Sequence, residues 1–136
     1  MTRLIRLRRS NRALGGAELA GSLSPKLYMD TRVRAAIDKM FHMLGDRHSV
    51  RDVARSVNLS PRRLGQLFKV DMGVSPMKFL RNLRMARAQA LLQSSFLTIK
   101  EVTFQSGFAD VSHFVRDFKQ CYGVTPSEFR ARMGKH

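Results

Sequence analysis

The chain contains a near-copy of its own middle near its end, and this constrains the fold more than any other feature. Residues 49–83 read SVRDVARSVNLSPRRLGQLFKVDMGVSPMKFLRNL, and residues 98–133 read TIKEVTFQSGFADVSHFVRDFKQCYGVTPSEFRARM. The offset is 49 residues at first and 50 after a one-residue insertion near Asp110. Under that pairing Val53 meets Val102, Leu59 meets Phe108, Leu64 meets Phe114 and Phe68 meets Phe118. Gly73-Val74-Ser75-Pro76 meets Gly123-Val124-Thr125-Pro126, and Phe79 meets Phe129. One structural unit used twice is the physical reading of such self-similarity.

The unit is helical. Apolar residues recur at threes and fours rather than alternating, and the starts carry cap signals. Ser49, Thr98 and Thr125 each stand three residues before an acid, the capping-box spacing. Ser60, Ser75 and Thr125 each precede a proline, which suits the first helical position. Gly73 and Gly123 sit where helices should stop. Upstream, Val33, Ala36, Ile37, Met40, Phe41 and Leu44 mark one more helix, opened by Asp30 and closed by Gly45. The pattern predicts an all-α fold of seven helices over about 30–44, 49–57, 60–71, 76–94, 98–106, 110–121 and 126–133. Each repeat is then a short helix, a turn of about four residues and a second helix. Asn58 and Gly107 occupy matching places in the turns, where left-handed backbone is tolerated. That is the helix-turn-helix pattern.

Charge narrows the function. Twenty-five Lys and Arg against ten Asp and Glu give a net charge of +15 over 136 residues, and the isoelectric point is near 11.5. So large an excess points to a polyanion, nucleic acid first and an anionic membrane surface second. One cysteine and four scattered histidines offer neither a disulfide framework nor a metal-ligand spacing. No apolar run approaches the roughly 20 residues that span a bilayer. The expectation is a soluble cytoplasmic protein. Residues 1–26, with five arginines, one lysine and one glutamate followed by Gly, Ser and Pro, are expected to form a basic tail or linker remnant. An arm that touches phosphates, or a cationic membrane-surface helix at 3–12, is the alternative reading of that segment.

Residues 99–130 closely resemble the signature of the AraC/XylS family of bacterial transcription regulators. Ile99, Val102, Gly107, Phe108, Phe114, Phe118, Lys119, Gly123, Pro126 and Phe129 carry the match. The likeness extends over about 30–133 and implies a DNA-binding domain at 27–136. In it, a first helix-turn-helix (about 49–72) and a second (about 98–121) are joined by a long linking helix (about 76–94). Two positions depart from the family pattern: Thr103 stands where a small residue is usual, and Val115 where serine is common. Thr103 is expected to bond a carbonyl one turn back.

Helical geometry selects the faces. At about 100° per residue, Arg62, Gln66 and Lys69 lie opposite Leu64, Leu67, Phe68 and Met72. Ser112, Arg116 and Lys119 lie opposite Phe114, Phe118 and Cys121. Arg62, Arg63, Gln66, Ser112, His113 and Arg116 are the base-reading candidates, since Arg suits guanine and Gln suits adenine in the major groove. Gly65 lies beside the first face and offers no side chain. Arg51, Lys69, Arg81, Arg84, Lys100 and Lys119 are the phosphate candidates, contacts that fix register without reading sequence. A linking helix of 19 residues spans about 28 Å at 1.5 Å per residue. Successive major-groove faces lie about 34 Å apart, so a monomer is expected to reach two of them. Met77, Leu80, Leu83, Met85, Ala88, Leu91 and Leu92 are expected to pack the linker against both subdomains.

An enzyme is not expected. Cys121 falls in an apolar sector, Ser112-His113 has no acid partner, and there is no phosphate-binding glycine loop. No cofactor, metal or small-molecule effector site is assigned. The resemblance implies promoter DNA and RNA polymerase, at its sigma subunit or alpha C-terminal domain, as partners. It implies a nucleoid-associated regulator, by usage of the family an activator, although repression fits the physics equally. The alternatives are a non-specific architectural binder, or the isolated DNA-binding fragment of a longer effector-responsive regulator.

Overall fold

The computed structural model describes residues 28–133. The basic segment read above as a tail lies outside them. Among the described residues there are seven helices and no strand. They are α1 (Thr31–His42), α2 (Val50–Ser56), α3 (Pro61–Met72), α4 (Pro76–Ser94), α5 (Ile99–Gln105), α6 (Val111–Tyr122) and α7 (Pro126–Met133). The ends of α4 and α7 are the expected ones, and those of the other helices differ by one or two residues, chiefly because the capping residues stand just outside the helices they open.

The starts are built as the cap signals require. The hydroxyls of Ser49 and Thr98 accept from the N–H groups of Asp52 and Glu101, and those carboxylates accept back from the cap N–H. Thr125 and Glu128 form the same reciprocal pair at α7. The hydroxyls of Ser60 and Ser75 accept from the Arg63 and Lys78 N–H groups. Each such cap is worth about 1 kcal/mol. In α3 and α6 the last turn closes on Gly73 and Gly123, both left-handed, whose N–H groups return to the Lys69 and Lys119 carbonyls.

The chain divides into two compact units, the first holding the described residues up to His42 with Ser49–Leu80. The second holds Met43–His48 and the described residues from Arg81 onward. In the first, α1 contributes the fully buried Val33, Ala36 and Met40, α2 contributes Val53 and Ala54, and α3 contributes Leu64 and Phe68. Phe68 meets Phe79 edge-on, with centroids 5.3 Å apart. The Asp30 N–H donates to Asp71 Oδ2 at 2.9 Å, tying the start of α1 to the end of α3.

The second unit is packed around rings. Met85, Ala88, Leu92, Val102, Phe114 and Phe118 form its core, with Phe108, Tyr122 and Phe129 against it. Phe118 lies within ring-contact distance of Phe114, Tyr122 and Phe129, at 5.7, 4.6 and 5.6 Å between centroids. Thr103 is fully buried, and its hydroxyl donates to the Ile99 carbonyl at 2.7 Å, the back-bond expected of it.

One expected packing position is corrected. Met77 is 70% exposed, about 100° round α4 from the buried seam Phe79–Leu80–Leu83. Phe41, which marked the periodicity of α1, is also exposed, about 100° from Val33–Ala36–Met40. The apolar residues of α4 do not form one stripe. Phe79 and Leu80 belong to the first unit, and Met85, Ala88 and Leu92 to the second.

Candidate nucleic-acid interface

In each repeat the second helix has one face buried and one face bare. On α3, Leu64 and Phe68 are fully buried, while Arg62, Arg63, Gln66 and Lys69 are all exposed. Arg63 Nη1 donates to Gln66 Oε1 at 3.2 Å, so two candidate base readers brace each other one turn apart. On α6, Phe114 and Phe118 are fully buried, while Ser112, His113, Arg116 and Lys119 are exposed. Asp110 caps this helix by accepting from the His113 N–H at 2.9 Å, which fixes the backbone from which Ser112 and His113 project.

The structure thus brings Arg62, Arg63, Gln66 and Lys69 together on one surface, and Ser112, His113, Arg116 and Lys119 together on another. Gly65 borders the first of these. A methyl group built there would meet nothing within 4 Å. The remaining candidates stand elsewhere. Lys100 is exposed on α5 and Arg51 on α2.

Arg84, a phosphate candidate, is engaged with backbone. Its guanidinium Nη2 donates to the backbone carbonyls of Asp46 and His48. It is half-buried, and burial lowers its pKa from the ordinary arginine value. Arg81 is likewise half-buried, with Nη2 3.8 Å from Asp117 Oδ1.

Helix spacing alone did not reveal what several arginines do in the second unit. Arg130 donates to the carbonyls of Leu92, Leu97 and Ser95, gathering the backbone at and beyond the end of α4. Arg87 Nε donates to the Gln105 carbonyl at 2.8 Å, at the end of α5. The one signal available was asymmetry: Arg130 pairs with Leu80 across the repeat, so a cation replaces a core residue. These cations satisfy carbonyls that helix ends leave orphaned.

Among the described residues no group of three or more His, Cys, Asp or Glu is placed to hold a metal ion. None of the described helices is long and apolar enough to cross a membrane.

Comparison with known proteins agrees with this geometry. The family model of a helix-turn-helix domain matches residues 53–132. The arabinose operon regulatory protein of Salmonella typhimurium is 40% identical over 104 residues, which are 76% of this chain and 37% of that protein. The chain therefore spans little more than a third of that relative's length. Among solved structures, the C-terminal domain of AraT, a response regulator from Geobacillus stearothermophilus, superposes with a TM-score of 0.73 at 28% identity. That match covers 76% of this chain and 87% of that one. A transcriptional regulator from Chromobacterium violaceum, described by its AraC-type DNA-binding domain, has a TM-score of 0.68 at 30% identity over 77% of this chain and 94% of its own. By the span of the match and by the duplicated unit, the chain belongs to the AraC/XylS-type helix-turn-helix family of transcription regulators.

Proposed function

We propose that this chain binds double-stranded promoter DNA in a sequence-specific manner and regulates bacterial transcription, with α3 and α6 each reading a major groove. The observation that carries the reading is the duplicated bare face: two helices, each anchored by a pair of buried side chains, each turning Arg or Gln and a Lys outward. Arg62 and Gln66 read bases from α3, with Arg63 braced against Gln66. Arg116 reads from α6 beside Ser112 and His113. Bidentate Arg–guanine and Gln–adenine pairs supply about 1–3 kcal/mol of discrimination each. Lys69, Lys119 and Lys100 serve the phosphates. A non-specific architectural role explains the charge but not the paired faces.

Because both reading helices lie on one chain, joined by a 19-residue α4, a monomer addresses two successive grooves. A modest bend in the DNA takes up the difference between the helix length and the groove repeat, at a cost that depends on the intervening sequence. Residues 27–136 act as the DNA-binding domain, and the greater length of the relatives supports reading the chain as the DNA-binding part of a larger regulator. The family resemblance supports contact with RNA polymerase, at its sigma subunit or alpha C-terminal domain, as part of this proposal, and a cytoplasmic protein at the nucleoid fits that role. The role is regulatory rather than enzymatic.

Selection of bound sites from a random DNA pool tests this directly. The expected result is an enriched motif of two half-sites about 10–10.5 bp apart, centre to centre. Enrichment of a single half-site defeats the two-groove reading. Binding lost to an excess of random competitor at fixed salt defeats sequence specificity altogether.

A further inference from the structure

The first helix of the first repeat carries a second basic surface that the base-reading face does not use. Arg51, Arg55 and Asn58 fall at i, i+4 and i+7, on one side of α2 and its turn, and all three are exposed. With Leu59 and Pro61 they line a hollow of about 380 Å³. None of Arg62, Arg63, Gln66 or Lys69 contributes to it. The arginines of the second unit that sit nearest to backbone are committed to carbonyls. The guanidinium groups of Arg51 and Arg55, by contrast, have neither a hydrogen-bond nor an ion-pair partner among the described residues. Two like charges one helical turn apart cost an isolated helix a few tenths of a kcal/mol.

The lining restricts what can fill the hollow. Two guanidinium forks about 5–6 Å apart at their stems suit a pair of carboxylates, each taken in bidentate fashion. Leu59 and Pro61 offer apolar surface between the cations and the turn, which suits a hydrophobic side chain. The Asn58 amide can both donate to and accept from a peptide backbone. A phosphate backbone has use for the cations but none for the apolar lining. The volume lies at the low end of the range for ligand pockets, roughly 300–1,000 Å³, which admits a few side chains of an extended or helical segment.

We infer that the Arg51–Arg55 hollow is a protein-docking site for a short acidic segment carrying a large apolar side chain between its carboxylates. The inference goes beyond the DNA-binding reading and rests on the free chain alone, since none of the base-reading side chains lines the hollow. It takes Arg51 off the phosphate list.

The test uses a fluorescein-labelled peptide, Asp-Asp-Leu-Asp-Asp-Phe-Asp, titrated with the whole chain at fixed salt and read by anisotropy. Binding is expected to be saturable and to fall about tenfold in the R51A/R55A double variant, as loss of two charge pairs implies. It is expected to hold within about twofold in R34A/R47A, which removes the same charge from other exposed arginines. Equal losses in the two double variants overturn the inference, since the peptide then reads only net charge. So does absence of saturable binding. A third overturning result is R51A/R55A losing DNA affinity on all sequences with a salt slope flatter by about 2, which makes the pair phosphate ligands. Failure of sequence-specific DNA binding leaves the peptide titration on the free chain intact, so the two readings fail separately.

Discussion

The two repeats close the same turn by different means. In the first, Asn58 takes the left-handed conformation, with φ 58°, and stands exposed. In the second, Gly107 takes it with φ 91° and is buried. A Cβ on Gly107 would lie 2.5 Å from the Leu44 carbonyl oxygen and 2.7 Å from Arg84 Nε. The first turn therefore asks only for a residue that tolerates the backbone, whereas the second asks for no side chain at all. The cores differ in the same way. The first is assembled from aliphatic residues with one ring pair, Phe68 and Phe79, and the second from a cluster of rings strapped by arginines. One helical template is thus compatible with two packing solutions, provided both leave the polar face of the second helix uncovered.

The sharpest way to break this contrast is to place the same residue in both turns. Gly107→Ala is expected to cost about 3 kcal/mol or more, from left-handed strain plus a clash with backbone that cannot swing away. Asn58→Ala is expected to cost about 1 kcal/mol, the strain alone. Urea denaturation of the two variants checks the difference. Equal costs would mean that Gly107 is chosen for its backbone angle and that the close approach is relaxed without effect.

Removing Arg84 probes the same turn from its other side. Arg84→Ala deletes the bonds to the Asp46 and His48 carbonyls and is expected to cost about 2 kcal/mol. It leaves the salt dependence of DNA binding unchanged, because the side chain is turned onto backbone. It also removes two of the three atoms that crowd position 107, so the double variant Arg84→Ala/Gly107→Ala is expected to lose less than the two single losses added together. A flatter salt slope for Arg84→Ala would return this residue to the phosphate-binding set.

Much of this was legible in the sequence, for a definable reason. Caps, prolines at first helical positions, and left-handed stops are local devices whose geometry depends on two to four neighbouring residues. Ser49, Thr98, Thr125, Gly73 and Gly123 therefore behave as read. The repeat conveyed the rest of the fold, because a duplicated unit repeats its buried positions. Met77 was misread because apolar character sets only the chance of burial, while the seam that is buried depends on what packs against it. Arg84, Arg87 and Arg130 were opaque for a related reason. A cation on a helix reads as solvated unless the carbonyls it meets, here 18 to 38 residues away in sequence, are known.

The reading faces give the next comparison. Arg116→Ala is expected to relax preference at one base position by about 1–3 kcal/mol. Lys119→Ala is expected to weaken all sequences alike and to flatten the salt slope by about 1. Gln66→Ala does on α3 what Arg116→Ala does on α6, with the loss falling in the other half-site. Binding measured on the selected site and on single-base variants of it decides the matter. Equal loss on specific and random DNA would remove Arg116 from the base readers.

Gly65 has no counterpart glycine in the second repeat, where Val115 stands. Its Cβ direction is open and its backbone is ordinary helix. Gly65→Ala is expected to raise stability by about 1 kcal/mol through helix propensity alone. A melting temperature that stays put would show that α3 is not limited by its glycine. A gain in stability accompanied by weaker DNA binding would show that the groove needs this close approach.

Acid separates the helix starts by the smallest margin. The Thr98 and Thr125 cap N–H groups hold the Glu101 and Glu128 carboxyls below their ordinary value of 4.5. In the first unit Arg32, by its side-chain bond, holds Asp30 below its ordinary 3.8. A depressed carboxylate stabilises the fold fully above its unfolded pKa, and that contribution is lost as pH falls through the folded pKa. The starts of α5 and α7 should therefore begin to loosen at higher pH than the start of α1. Amide exchange in the first turns, followed from about pH 5 down to about pH 3, reads the order. In Glu101→Gln/Glu128→Gln the capping geometry is kept while the titration is removed, so α5 and α7 should lose their dependence and α1 should keep its own. If α1 loosens first in the unaltered chain, the cap carboxylates are not what acid reaches first in the second repeat.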